Sequence, residues 1–158
     1  MTQVHLIGPE NWQSWRRVRL RALQQEPTTF GSTYEREAGF TESDFRVRLA
    51  GSGVAMLALA GNEPVGMGAG LRDVEGWLLV VSMWVDPGWR GHGVGRRVLD
   101  ELITWAGHRD LRVHLDVTLD NAPARAFYER RGFVGTGRTE PLRQGSPELL
   151  ERLVLPAP

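Results

Sequence analysis

Apolar positions along the chain follow two rhythms. Val4–Ile7 is a short apolar run closed by Gly8 and Pro9, which predicts a strand. After Asn11, a residue suited to capping, Trp12, Trp15, Val18, Ala22 and Leu23 recur at spacings near three and four, predicting a helix that stops before Pro27. Its polar side carries Arg16, Arg17, Arg19 and Arg21, with no acid until Glu26. Thr28–Thr33 reads as loop. A second helix is expected to begin at Ser43 and Asp44, to carry Phe45, Val47 and Leu49, and to end at Gly51 and Gly53.

The rhythm then shortens. Val54–Ala60, Pro64–Leu71 and Trp77–Val85 are apolar or β-branched runs separated by Gly61-Asn62-Glu63 and by residues 72–76, both turn-like, so an antiparallel meander is expected. Beyond Asp86-Pro87 the helical period returns, with Val94, Val98, Leu102 and Trp105 or Ala106 leading to His108. Leu111–Val117 alternates as a strand, Ala122–Arg131 forms a short helix ended by Gly132, and Phe133–Gly137 and Leu149–Leu155 close the chain as strands. The order of elements is that of one α/β domain over residues 1–158, without repeats or an interdomain linker.

Composition narrows the chemistry. The 19 basic residues balance 19 acidic ones, all of the former being Arg, and there is no Cys. Without Lys there is no P-loop lysine and no Schiff base; without Cys there is no thiol nucleophile and no cysteine zinc site. Neutrality argues against a nucleic-acid footprint, and no apolar stretch is long enough to cross a bilayer. The N-terminus lacks the pattern of a signal peptide, so a cytoplasmic location is expected.

The most informative segment is Val85-Asp86-Pro87-Gly88-Trp89-Arg90-Gly91-His92-Gly93-Val94-Gly95-Arg96, between an apolar strand and an amphipathic helix. Alternate glycines permit positive φ and close approach of a ligand, and free amides at a helix N-terminus attract anions. The third glycine of a dinucleotide fingerprint is missing, since position 96 is Arg, and so is the Lys of a P-loop. A second segment, Asn121-Ala122-Pro123-Ala124-Arg125-Ala126-Phe127-Tyr128-Glu129-Arg130-Arg131-Gly132-Phe133, follows a strand.

Together the two segments resemble the GNAT superfamily of acyl-CoA-dependent N-acyltransferases. Arg90-Gly91-His92-Gly93-Val94-Gly95 matches its Arg-x-x-Gly-x-Gly motif, and Asn121, Ala124, Phe127-Tyr128 and Gly132-Phe133 match the next one. The resemblance implies a mixed, mostly antiparallel sheet of six to seven strands flanked by about four helices. It implies acetyl transfer from acetyl-CoA to a primary amine of a small molecule or peptide, by direct attack in a ternary complex, with no metal. It places the pyrophosphate on the backbone of Gly91, His92, Gly93, Val94, Gly95 and Arg96, and the pantetheine along Met83, Trp84 and Val85. Arg90, Arg96 or Arg97, and Arg125, Arg130 or Arg131, are candidates to neutralise phosphates; Asn121 and Tyr128 of the second motif belong to the same cofactor surface. Family members often dimerise through edge strands, so a homodimer is a further expectation.

Amine attack on a thioester requires an acid, a base and a donor for the oxyanion. The resemblance assigns the acid to Tyr128, with a backbone N–H around Trp84 or Val85 meeting the oxyanion. For the base it offers Asp116, at the place of a strand glutamate in ribosomal-protein alanine acetyltransferases. Glu75 is a second candidate if the Trp77 strand extends that far. His114 is read as lying on the strand of Asp116 but not on its face, and His92 as a turn residue. The family's acceptor site is usually built from the first two helices and their connection. Here residues 26–44 hold five acids, Glu26, Glu35, Glu37, Glu42 and Asp44, against Arg36. They form either a solvated face or a lining that would draw a cationic amine. Two rival readings are a silent acyl-CoA-binding module and a plain nucleotide-binding domain.

Overall fold

The computed structural model describes residues 2–158. Seven strands, β1 (Thr2–Ile7), β2 (Val54–Ala60), β3 (Glu63–Arg72), β4 (Trp77–Val85), β5 (Arg112–Thr118), β6 (Val134–Pro141) and β7 (Leu149–Leu155), form one sheet in the order β1-β2-β3-β4-β5-β7-β6. Every pairing is antiparallel except β4 with β5. The expected meander of β2, β3 and β4 is present, and the mixed α/β class is as the resemblance implied. The helices are α1 (Trp12–Gln25), α2 (Tyr34–Ala38), α3 (Glu42–Leu49), α4 (Val94–Gly107) and α5 (Ala122–Arg130).

The period-2 pattern of the strands divides the core in two. On one face Val98, Leu99, Leu102 and Ala106 of α4, none more than 1% exposed, pack on Met56, Leu78, Val80, Leu115 and Val117. On the other, Trp15, Val18 and Leu23 of α1 and Phe45 of α3 cover Leu57, Met67 and Trp84. β3 lies under helices on both sides and is buried from Pro64 to Gly70. Its glycines let α4 approach: a Cβ on Gly68 would stand 2.6 Å from Val98 Cγ1 and 2.8 Å from Met83 Sδ.

Three details differ from the sequence expectation. The helix α2 is an addition; it has only five residues and no apolar period, and it forms because the Thr33 hydroxyl accepts the Arg36 amide. The helix α3 begins earlier than Ser43: the Thr41 hydroxyl accepts from the Asp44 amide while Asp44 accepts from the Thr41 amide, a reciprocal capping box. Only Phe45 of its apolar residues is buried, and Val47 is 69% exposed, because a spacing of two does not keep side chains on one helical face. Asn11 precedes α1, but its side chain accepts from the Gly8 amide at 3.0 Å and closes the preceding 3-10 turn instead.

Candidate active site

The two central strands part company midway. β4 and β5 pair only from Trp77–Val80 to Arg112–Leu115. Beyond that point β4 is bulged: Ala69 faces Val81 and Met67 faces Trp84, so Ser82 and Met83 together oppose Gly68. Ser82 takes a left-handed conformation with φ 60°. The bulge turns β4 away from β5 and leaves its backbone from Val81 to Val85 without a ladder partner on that side. The Val85 carbonyl is an exception, since it accepts from Arg90 Nε at 2.9 Å.

At the far end of the parted edge stands the glycine-rich loop. Asp86 accepts the Gly88 amide and fixes a 3-10 turn over Pro87–Trp89. Gly91 and Gly93 then adopt φ of 80° and 79°, a region that costs other residues strain. The first helical hydrogen bond runs from the Arg97 amide to the Gly93 carbonyl. Among the described residues nothing accepts from the amides of Gly91 through Arg96, so six donors meet the positive end of the α4 dipole. Chemically, such a cradle can accept an anion. Val94, 1% exposed, anchors it in the core, and Gly95 lets it close on Val85 and Phe127.

The arginines expected to face phosphate are mostly engaged elsewhere. Arg90 braces the loop to Val85 and, at 3.4 Å, to Glu26 at the end of α1. Arg96 pairs with Asp100, as does Arg131; Arg97 donates to the Thr2 carbonyl, and Arg125 pairs with Glu129 and Glu151. Arg130 is exposed and has no ion-pair partner among the described residues. His92 Nδ1 lies 3.0 Å from the Arg90 carbonyl, so the ring stabilises the turn as a donor at that nitrogen.

From the other side, α5 brings Tyr128 to the parting of the strands. The Asn121 carboxamide accepts the Ala124 amide and starts the helix. Phe127 and Phe133 then hold the Tyr128 ring in edge-to-face contacts at 5.2 and 5.9 Å. Tyr128 borders the same cavity as Ser82, Met83 and Asp116. Burial pushes its phenol well above the ordinary tyrosine value. Its hydroxyl receives no hydrogen bond from another described residue.

Asp116 is not a free carboxylate. Arg152 of β7 grips both of its oxygens, Nε to Oδ1 at 2.6 Å and the second nitrogen to Oδ2 at 3.2 Å. The same guanidinium donates to His114 Nδ1 at 3.1 Å, so His114 shares the face of Asp116, correcting the sequence reading. Burial first, then the Arg152 charge, holds the His114 imidazole below its usual value, and its ring stacks on Trp77 at 4.5 Å. Glu75 is not on a strand. β4 starts at Trp77, and Glu75 is an exposed member of the β3–β4 turn whose amide donates to Asp73. From Trp77, where the strand begins, Ser82 is five strand positions on, about 16 Å, and Glu75 lies beyond that end, too far to serve there.

The cavity, about 630 Å³, extends from Tyr128 and the bulge into the layer of α1 to α3. Its wall contains an ion pair that sequence reasoning did not single out. Arg19 of α1 binds both Glu37 oxygens at 2.9 Å, donates to Ser82 Oγ at 2.9 Å and lies 5.3 Å above the Phe30 ring. Burial acts to raise the Glu37 carboxyl, but Arg19, Ser32 and Arg48 outweigh it and hold the group below the usual carboxylate value. Ser82, the only polar residue in the apolar run of β4, and Arg19, one arginine among four on α1, were the available signals. Arg143, in the loop between β6 and β7, donates to the Phe30 and Pro27 carbonyls and ties that loop to the one following α1.

The acid-rich stretch does not line the cavity as a group. Glu26 pairs with Arg90, Glu42 with Arg46, and Asp44 caps α3; Glu37 alone reaches the wall. Among the described residues no group of three His, Cys, Asp or Glu could hold a metal ion, and no helix is long and apolar enough to cross a membrane.

A strand pair that opens beside an amide cradle, with a tyrosine at its apex, agrees with the family model for the acetyltransferase (GNAT) family, which matches residues 13–133. The chain belongs to the acetyltransferase (GNAT) family. A mycothiol acetyltransferase of Nocardiopsis dassonvillei is 34% identical over 140 residues, which cover 81% of this chain and 40% of that protein. The chain spans less than half the length of the curated relatives it matches. The ribosomal-protein-S18-alanine N-acetyltransferase of Escherichia coli superposes over 99% of this chain and 94% of its own, with a TM-score of 0.73 at 17% identity. An acetyltransferase of Bacillus anthracis, solved in complex with acetyl coenzyme A, covers 67% of this chain and 63% of its own, with a TM-score of 0.61 at 24% identity.

Proposed function

We propose that this chain transfers an acetyl group from acetyl-CoA to a primary amine by direct attack, both substrates being bound together. One observation carries the reading: the parted β4–β5 edge connects the amide cradle of residues 91–96 to Tyr128 and to a cavity of about 630 Å³. Acetyl-CoA supplies an activated acyl carbon and a thiolate leaving group. The residues fit such a donor. Six unpaired amides suit a pyrophosphate, the open backbone of Met83 and Trp84 suits the amides of an extended pantetheine arm, and Tyr128 stands where that arm would end.

In this reading the amine nitrogen forms a bond to the acyl carbon as the carbon–sulfur bond breaks. A backbone N–H of the bulged edge accommodates charge on the acyl oxygen, and the Tyr128 hydroxyl gives its proton to the departing sulfur. A phenol raised by burial stays protonated until it is used. Asp116, held at both oxygens by Arg152, positions the wall rather than taking the amine's proton. With Glu37 paired as well, that proton leaves to water in the cavity. The continuous sheet of the described residues supports a single catalytic unit.

Calorimetric titration with acetyl-CoA, followed by assay of thiol release against a panel of amines, tests the proposal. Acetyl-CoA should bind, and ATP and NAD should not. Binding without thiol release on any amine would favour the silent acyl-CoA-binding module, and stabilisation by ATP or NAD alone would overturn the reading.

A further inference from the structure

At the bulge, Ser82 and Met83 have no ladder partner on either side. Opposite them β3 offers only Gly68, and on the other edge β4 pairs with β5 no further than Val80. Ser82 also holds φ 60°, a left-handed conformation that a Cβ makes unfavourable. Met83 is anchored by packing on the α4 side of the core. Ser82 is held from the opposite layer, where Arg19 Nη1 of α1 donates to its Oγ at 2.9 Å. That guanidinium is itself fixed: its Nε and Nη2 donate to the two Glu37 oxygens at 2.9 Å, and its Cζ lies 5.3 Å from the centre of the Phe30 ring. The same helix ties the edge at two further points. Arg21 donates to Asp86 Oδ2 at 2.8 Å just past the end of β4, and Glu26 meets Arg90 of the glycine-rich loop at 3.4 Å.

We infer that Arg19 is a positioning residue for acetyl transfer: through Ser82 Oγ it fixes the bulge, and with it the direction in which amides of the parted edge meet the acyl oxygen. This rests on the acetyl-transfer reading of the same edge. Arg19 needs no contact with either substrate. Glu37 commits two nitrogens of a planar, rigid fork, so the third is aimed at Ser82 rather than free to wander. A lysine there would supply only a point charge on a flexible stem. The alignment matters because a donor to a developing oxyanion acts only in the right place, and a misplacement of about 1 Å can cost on the order of 100-fold in rate.

Ser82→Ala and Ser82→Gly separate positioning from packing. Both remove Oγ, but Ala leaves a Cβ at this φ with nothing to hold it, whereas Gly takes the conformation without strain. Ser82→Ala should lower kcat at least about tenfold while KM for acetyl-CoA stays within about threefold, and Ser82→Gly should recover most of that loss. In an Arg19→Met, Glu37→Leu background, which strands no charge, kcat should fall likewise and adding Ser82→Gly should restore it. A second readout needs no acceptor. The infrared carbonyl band of bound acetyl-CoA, labelled with carbon-13 at the acetyl carbonyl, moves to lower frequency when an amide donates to that oxygen. It should lie lower in the parent and in Ser82→Gly than in Ser82→Ala. The inference is overturned if Ser82→Ala matches the parent in kcat or in band position, or if Ser82→Gly fails to recover either. A band that depends on the variant, with no thiol release from any amine, would sink the transfer reading and leave the positioning of the bulge by Arg19 standing. Thiol release with the same kcat and band in every variant would do the reverse, and failure of acetyl-CoA to bind the parent would overturn both.

Discussion

Replacing Glu37 by Gln removes one charge and one acceptor from the cavity wall without changing its shape. The side chains of Glu37 and Arg19 are 6% and 14% exposed, so water can replace little of what is lost. Arg19 would keep its bond to Ser82 but would face a neutral amide at a site that previously matched its charge with two bonds of 2.9 Å. Stranding one partner of such a pair costs about 3–5 kcal/mol, which for a chain of this size lowers Tm by roughly 6–20 °C. Differential scanning calorimetry measures the loss. Because the folded-state Glu37 carboxyl lies below its ordinary value of 4.5, its contribution is complete above that pH and is lost as pH falls through the folded value. The stability gap between the parent and Glu37→Gln should therefore close in acid. An apolar double substitution, Arg19→Met with Glu37→Leu, should recover most of the loss, since it strands neither charge. A Glu37→Gln protein within about 1 kcal/mol of the parent at pH 7 would refute the reasoning and reduce the pair to a surface-like contact.

Three further outcomes are expected. Tyr128→Phe should lower kcat by about 100-fold or more while leaving acetyl-CoA affinity within a few fold, and the parent should show no alkaline fall in kcat up to pH 10 from this raised phenol; an unchanged kcat would remove Tyr128 from the acid role. Gly93→Ala places a Cβ at φ 79°, costing about 1–2 kcal/mol and misdirecting the amides of the cradle. Calorimetry should show at least tenfold weaker acetyl-CoA binding, and retained affinity would count against the cradle. Asp116→Asn should lower Tm by loosening Arg152 yet keep the acid limb of the pH–rate profile, and disappearance of that limb would make Asp116 the base after all.

Local grammar made most of the fold legible. The apolar runs of β2 to β4, the alternation of β5, the helical period of α4 and the glycines of the cradle each act over a few residues, and all stand where the sequence places them. What stayed hidden depends on distance along the chain. Arg152 lies on a strand inserted between β5 and β6, and only the register Asp116↔Arg152 reveals that it occupies the carboxylate. The pairing of Arg19 with Glu37 likewise needs α1 and α2 packed side by side, and α2 itself lacks the period that would announce it. Glu75 failed for a simpler reason: Gly76, at φ 93°, ends the turn one residue before the strand begins.

The insertion of β7 between β5 and β6 also has a consequence during synthesis. When Thr118 leaves the ribosome, the far edge of β5 has no neighbour until residues 119–155 have followed, about 2–7 s at ordinary elongation rates. Throughout that interval β5 offers two unpaired edges along Asp116–Thr118, one toward the parted β4 and one toward the missing β7. The same opening proposed to take a pantetheine arm in the finished protein is thus, in the nascent chain, half of a strand ready to pair with the wrong partner.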